Sequence, residues 1–420
     1  MLKHGCLGIS FLLIAAFATS GTVIAASDDV APMPDSILKQ SQANGYGYEQ
    51  KAVTSDSSAS TLLVSDISPV GNDNSRLVDN EGMGSDSMAD DDGMGMGQHH
   101  RVDSSAPAFV FGAHVLEAGK WETGYRYSNT YMEGNRAGTT NLTTQQALNF
   151  LGPVPPGVPG KNAFMMAPTT MTMESHMLPI MRGVTDDVSV YIMPMWMVNT
   201  MQMVNRKGMV TEAANSGFGD LPFGALWRAF KTNTDELILN IGFSAPTGDI
   251  DSINPTSMGM GGPSKYPYTM RLGHGTWDAR PAVTYRHYWD RVSFGLQGMF
   301  DLPLGLNDAD YQVGDEYRVN AWFAYLLDSD KKLAATFRVE GLWRNNYVGA
   351  DPTLNPFGMP GNEPNMRGGD YMNFGYGIQY MLPRHLGRLD FEAVTPIVQN
   401  VQGVQPGTDW AFAGRYLIMF

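Results

Sequence analysis

From about Lys120 to Phe420 the chain repeats one pattern, runs of roughly ten residues in which apolar and polar positions alternate. A period of two places successive side chains on opposite faces of a strand, so each run has one greasy face and one wet face. The closing run is the clearest: Trp410, Phe412, Gly414, Tyr416, Ile418 and Phe420 share one face, and Asp409, Arg415 and Met419 the other. Leu237, Leu239, Ile241 and Phe243 oppose Asn240 and Ser244, and Val292, Phe294, Leu296 and Phe300 oppose Ser293, Gln297 and Asp301. Leu333, Ala335, Phe337, Val339 and Trp343 likewise oppose Lys332, Thr336, Arg338 and Glu340. A charged residue facing lipid at mid-depth costs roughly 2–4 kcal/mol. Segregation kept over many strands therefore predicts lipid outside and water inside.

The connections alternate in length. Short turns fall near 183–187, 231–235, 288–291, 327–331 and 383–388, and longer links rich in Gly, Pro and Asn span 134–163, 248–275, 305–314, 345–368 and 399–407. Short periplasmic turns and long external loops are the outer-membrane arrangement. The pattern predicts an all-β fold, an antiparallel transmembrane β-barrel of about 12 strands, with both termini in the periplasm and a disordered acidic tail in front. The soluble alternative, a sandwich or propeller, lacks a blade-like repeat.

Composition changes the picture mainly at the N-terminus. Residues 1–26 read as a signal peptide: Lys3 and His4, an apolar stretch from Leu7 to Ala18, and small residues at Ala25 and Ala26. Residues 27–106 carry 14 acidic and 4 basic side chains among Asp, Ser, Gly and Met, too little apolar surface to offset the entropy of ordering them. They read as a disordered periplasmic tail, leaving 107–420 as the barrel. The formal charge of −14 belongs mostly to this tail. With no basic stripe, nucleic acid is excluded as a partner. The one cysteine, Cys6, lies in the signal, so thiol chemistry is excluded as well.

Several segments carry a resemblance: Gly119-Lys120-Trp121 with Tyr125-Arg126-Tyr127, Met166-Ala167-Pro168 with Met171-Thr172-Met173-Glu174-Ser175-His176-Met177, Gly217-Phe218-Gly219-Asp220, Ala245-Pro246-Thr247-Gly248 and the closing Phe420. Through most of 112–420 the chain resembles bacterial outer-membrane proteins grouped under the phenol-degradation meta-pathway or named simply "transporter". The resemblance implies a barrel of transport function in the bacterial outer membrane. No hydrocarbon-binding plug is evident in the sequence.

Methionine is the chemically informative residue, because 12 of 28 fall between Met165 and Met209. Around Ser189 one face is Val188, Val190, Ile192, Pro194, Trp196 and Val198; the other holds Met193, Met195, Met197, Met201 and Met203. If the first face meets lipid, the thioethers line the lumen. In the preceding run the cost of burying charge in lipid places Glu174 and His176 in the lumen and Met171, Met173 and Met177 in lipid. The tail repeats the theme, with Met83, Met88, Met94 and Met96 leading to His99 and His100. Thioether and imidazole are Cu(I) ligands, so both regions are candidate copper sites, with no cofactor otherwise required. The plainer reading of the stripe is gap-filling by a flexible side chain.

Asp220, Arg228, Asp278, Arg280, Arg286, Arg318, Arg338, Glu340, Asp390 and Glu392 fall on inward faces and predict a salt-bridged interior. His274 lies in a long loop with Met270, and His114 and His287 stand alone. No ordered Ser/His or Asp/His motif marks a nucleophile, so no enzyme is expected. Three functions compete: a transporter handling copper or another soft metal, with the tail as a capture arm; a passive channel for small organic solutes, including aromatics; and a non-conducting surface protein. Outer-membrane lipid is a partner in each, and a periplasmic protein is a candidate partner of the tail.

Overall fold

The computed structural model describes residues 101–150, 164–255, 263–383 and 386–420. The signal peptide, nearly all of the acidic tail, and Met83, Met88, Met94, Met96, His99 and His100 lie outside the described residues. The described chain forms one closed antiparallel wall.

Eleven segments make the wall. They are β1 (Trp121–Gly138), β2 (Met166–Met177 continued by Ile180–Thr185), β3 (Val188–Ile192 with Met195–Asn205), β4 (Val210–Phe218 with Leu221–Lys231), β5 (Asp235–Ala245), β6 (Asp278–Ala279 with Ala282–Tyr288), β7 (Val292–Pro303), β8 (Glu316–Leu326), β9 (Leu333–Arg344), β10 (Gly369–Met381) and the long Arg388–Met419. The last segment doubles back. Its first limb, β11 (388–401), pairs with β10, and its second, β12 (404–419), pairs with β1 and closes the barrel. Gly403 makes the turn at φ +67°, where a Cβ would collide with Met366. Gln399 also exchanges two hydrogen bonds with Thr408. Twelve strands thus circle the lumen, and the long link expected over 399–407 is instead a strand hairpin.

Pro179 interrupts β2 without shifting its register. Met177 lies opposite Arg126 and Ile180 opposite Thr123, so β2 continues through Pro179, whose carbonyl still accepts from Gly124 N and Thr123 Oγ1. At the seam Trp121 and Phe420 exchange both backbone bonds, at 2.8 and 2.9 Å.

The expected faces hold. Ile241, Phe243, Phe300, Phe337, Trp343 and Trp410 are exposed on the exterior, whereas Asn240, Ser244, Ser293, Gln297, Arg338 and Glu340 are buried inside. An apolar belt of this kind would be destabilising in water and is matched to lipid.

The lumen holds a plug that composition did not reveal. At the rim of short turns Val102 N donates to Lys331 O and Arg101 reaches Trp289 O. The chain climbs to Phe109 and descends, and Gly119 N meets Gly183 O at the same rim. Polar side chains of the wall grip its backbone: Arg286 donates to the carbonyls of Ser104, Ala113 and Asp103 at 2.6, 2.7 and 2.9 Å. Arg415 donates to Ala106 O and Ser105 Oγ, and Gln379 to Ser105 O and Ala106 O. A segment whose own secondary structure is a single 3-10 turn, Val102–Ser104, has most of its backbone groups satisfied from outside. Ala106, Val110 and Ala113 pack on Trp322, which in turn lies across Gly295 of the paired strand. Residues 101–106, grouped with the tail by composition, therefore lie inside the barrel.

Candidate functional site

Above Phe109 the lumen opens into a cavity of about 540 Å³. Its position follows from three inward-folding segments, the plug below and loops 263–277 and 345–368 above.

One wall is thioether. Met171 and Met173 of β2, Met195 and Met197 of β3, and Met132 of β1 line the cavity. The inward stripe on β3 is as expected, but its five methionines divide. Met193 packs against Val115, Leu116, Tyr191 and Leu226, and Met201 and Met203 sit in a closed cluster with Met166, Tyr266, Met270 and Met359. Only Met195 and Met197 face open space.

The expectation for β2 is reversed. Met171 and Met177 are buried inside and Met173 lines the cavity, whereas Glu174 and His176 are on the outer face. There Tyr127 Oη donates to Glu174 Oε2 at 2.8 Å, and Tyr125 Oη lies 2.6 Å from His176 Nδ1. Hydroxyls from the neighbouring strand lower the cost that argued for the opposite face. These two residues are separated by the wall from the thioethers they were grouped with.

The opposite wall is ionic, as the inward charges predicted. Arg338 donates to Glu392 Oε1 at 2.6 Å, Glu340 Oε2 at 2.7 Å and Asn320 Oδ1 at 2.7 Å. Arg344 donates to Glu316 at 2.7 Å, Arg318 bonds the same carboxylate, and Arg280 lies 3.0 Å from Asp301. Lower in the lumen Arg228 pairs with Glu236, and Arg415 with Asp390. Arg338, Glu392, Arg228, Glu236, Arg415 and Asp390 are deeply buried, where an ion is stabilised by such pairing.

Loop residues complete the cavity, and these the sequence reading missed. Arg271 lies against the rings of both Tyr268 and Tyr311, 4.9 and 5.0 Å from their centroids, and donates to Asp351 at 2.6 Å. Tyr347 stacks on Tyr311. Beside them Asp220 accepts from the backbone of Gly248 and His274 at 3.0 and 2.7 Å. The His274 Nδ1 lies 2.6 Å from Asp278, which also accepts from Thr276. Burial lowers the imidazole pKa, but the hydrogen bond and charge of Asp278 outweigh it and push it up to about 9. Ligand atoms of Asp220, His274 and Asp278 lie within 4.8 Å of one another, a spacing that fits a metal ion. The sequence had placed His274 in a long loop and Asp220 and Asp278 on inward faces, without bringing the three together.

Residues 190–395, which run from β3 into β11, match the family described as "Putative MetA-pathway of phenol degradation". Among solved structures, an outer membrane channel from Pseudomonas putida F1 is 15% identical with a TM-score of 0.50, over 73% of this chain and 97% of that one. The β domain of the Bordetella autotransporter BrkA is 8% identical, TM-score 0.39, over 72% and 100% of the two chains. The Ralstonia pickettii toluene transporter TbuX is 11% identical, TM-score 0.35, over 78% and 98%. At 15% identity the likeness to the Pseudomonas putida channel is one of fold. No curated protein matches the chain. The family match, the closed barrel and its apolar belt place the protein in the bacterial outer membrane.

Proposed function

We propose that this family barrel is a channel for small organic solutes, with the lumenal cavity as its solute chamber. The observation that carries the reading is the cavity of about 540 Å³ with unlike walls, thioethers on one side and ion pairs on the other. Small-molecule sites of this size are typically apolar with a few fixed polar groups. An aromatic or aliphatic body fits the methionines, which are polarisable and adapt to shape. A polar substituent fits the charged side. The family description, phenol degradation, names a substrate class with the same two ends.

The test is uptake of phenol and benzyl alcohol by proteoliposomes holding the full chain. Wild type is expected to speed entry, and Met173→Trp, which fills the cavity from β2, to slow it. Entry no faster than in protein-free vesicles would overturn the reading.

A second reading, soft-metal passage, draws on Met195, Met197 and His274 lining the same cavity. The imidazole Nε2 remains for a ligand while Asp278 holds Nδ1, the usual orientation for a metal-binding histidine. It ranks second because an imidazole with a pKa near 9 is protonated at neutral pH, so a cation must first displace a proton. Cu(I) titration against a chelator, on wild type and on a Met195→Leu, Met197→Leu variant, tests it. Equal affinities would remove the cavity from consideration as a copper site.

A further inference from the structure

The cavity is lined by six arginines, Arg271, Arg280, Arg318, Arg338, Arg344 and Arg367. Five have a carboxylate at ion-pair distance: Asp351, Asp301, Glu316, Glu392 with Glu340, and Glu316 again. Arg367 has none among the described residues. It is 4% exposed, its Nε has no hydrogen-bond partner, and its Nη2 makes one long bond, 3.3 Å to Pro360 O. Burial pushes its pKa down, the mark of a cation without an adequate partner.

The loop holds the backbone at Arg367 in place. Arg367 N and Gly368 N both donate to Asn346 Oδ1, at 3.0 and 2.7 Å. Two aromatic rings accompany it. Tyr347 is tied to the same turn by its N–H to Pro364 O, and Tyr371 reaches Gln405, which donates to Gly368 O. Both rings line the cavity. A buried, unpaired guanidinium is strongly unfavourable on its own and favours a carboxylate brought to it, with bidentate geometry available.

We propose that Arg367 is the anion-binding group of the chamber, taking the carboxylate of a small aromatic acid whose ring rests against Tyr347 and Tyr371. The inference rests on the channel reading and adds the charge of the solute. It assigns the ionic wall a structural part and Arg367 the part of recognition.

The test compares benzoate with benzyl alcohol, which has the same ring without charge at neutral pH, by calorimetric titration of the full chain in detergent. Wild type is expected to bind benzoate about tenfold more tightly, the scale of one charge-assisted contact. Arg367→Gln should bind the two within about twofold of each other, and Arg367→Lys should keep part of the preference because it keeps the charge. Retained benzyl alcohol binding shows that a variant is folded. Wild type binding both probes equally would overturn the inference and leave the channel reading standing, and so would a benzoate preference that survives Arg367→Gln. If neither probe binds or crosses, both fall. The comparison within wild type needs no variant, so a misfolded Arg367→Gln does not spare the inference.

Discussion

The two walls of the cavity solve the same problem by opposite means. The thioether wall of β1, β2 and β3 is held by shape: Met171 packs into a methionine cluster, and Met195 and Met197 lie against the backbone at Gly219. The wall of β6 to β11 is held by charge, each of its paired arginines fixed by carboxylates on its own strand, on the next, or, for Arg338 and Glu392, across β10. The lesson is one of tolerance. A packed thioether can be replaced by another chain of similar volume, whereas an interlocked ion pair cannot lose one member without stranding the other.

The largest expected effect follows directly. Arg338→Leu leaves Glu392 buried without its cation and Glu340 with only the more distant Arg318, and should destabilise the barrel by about 3–5 kcal/mol, read from denaturant unfolding followed by heat-dependent gel mobility. A loss below about 1 kcal/mol would show that the ionic wall is not interlocked. Next is Arg286→Leu, which removes three bonds to the plug. A net loss of about 1.5–3 kcal/mol in plug docking is expected, seen as a several-fold rise in single-channel conductance. Unchanged conductance would mean that Arg415 and Gln379 suffice. Smaller still, Met195→Leu with Met197→Leu should cost less than about 1.5 kcal/mol and leave phenol entry intact. A larger cost would show that the sulfurs do more than fill space.

The smallest effect is a pH dependence of the loop at the junction of the walls. The His274 pKa is raised to about 9, so its ion pair with Asp278 contributes fully below the unfolded value of about 6.5 and is lost as pH rises through about 9. Barrel stability measured from about pH 6 to about pH 10 should fall over that window. His274→Gln should flatten it.

The contrast between the walls also explains what could be read from sequence. Alternation marked the strands, and the inward charges of β8 to β11 were legible because only one face could carry them. On β2 both faces held polar or soft residues, and period two gives two faces without saying which meets lipid. The cost argument chose wrongly there because Tyr125 and Tyr127 come from another strand, a partnership that adjacent sequence does not display. Arg367, Tyr347 and Arg271 were missed for a different reason: they occupy segments read as external loops, and nothing in composition tells a loop that folds inward from one that does not. The plug was hidden more completely, since its order is borrowed from the wall.

That plug has a topological property of its own. Its ascending and descending limbs leave by the same rim, at Val102 beside Lys331 and Gly119 beside Gly183. A thread running from rim to rim could come out only if a chain end passed through the barrel or the seam between β1 and β12 opened. A bight pushed in from one side obeys no such restriction. It can be drawn out whole, with every wall bond intact, by tension on the chain ahead of Arg101.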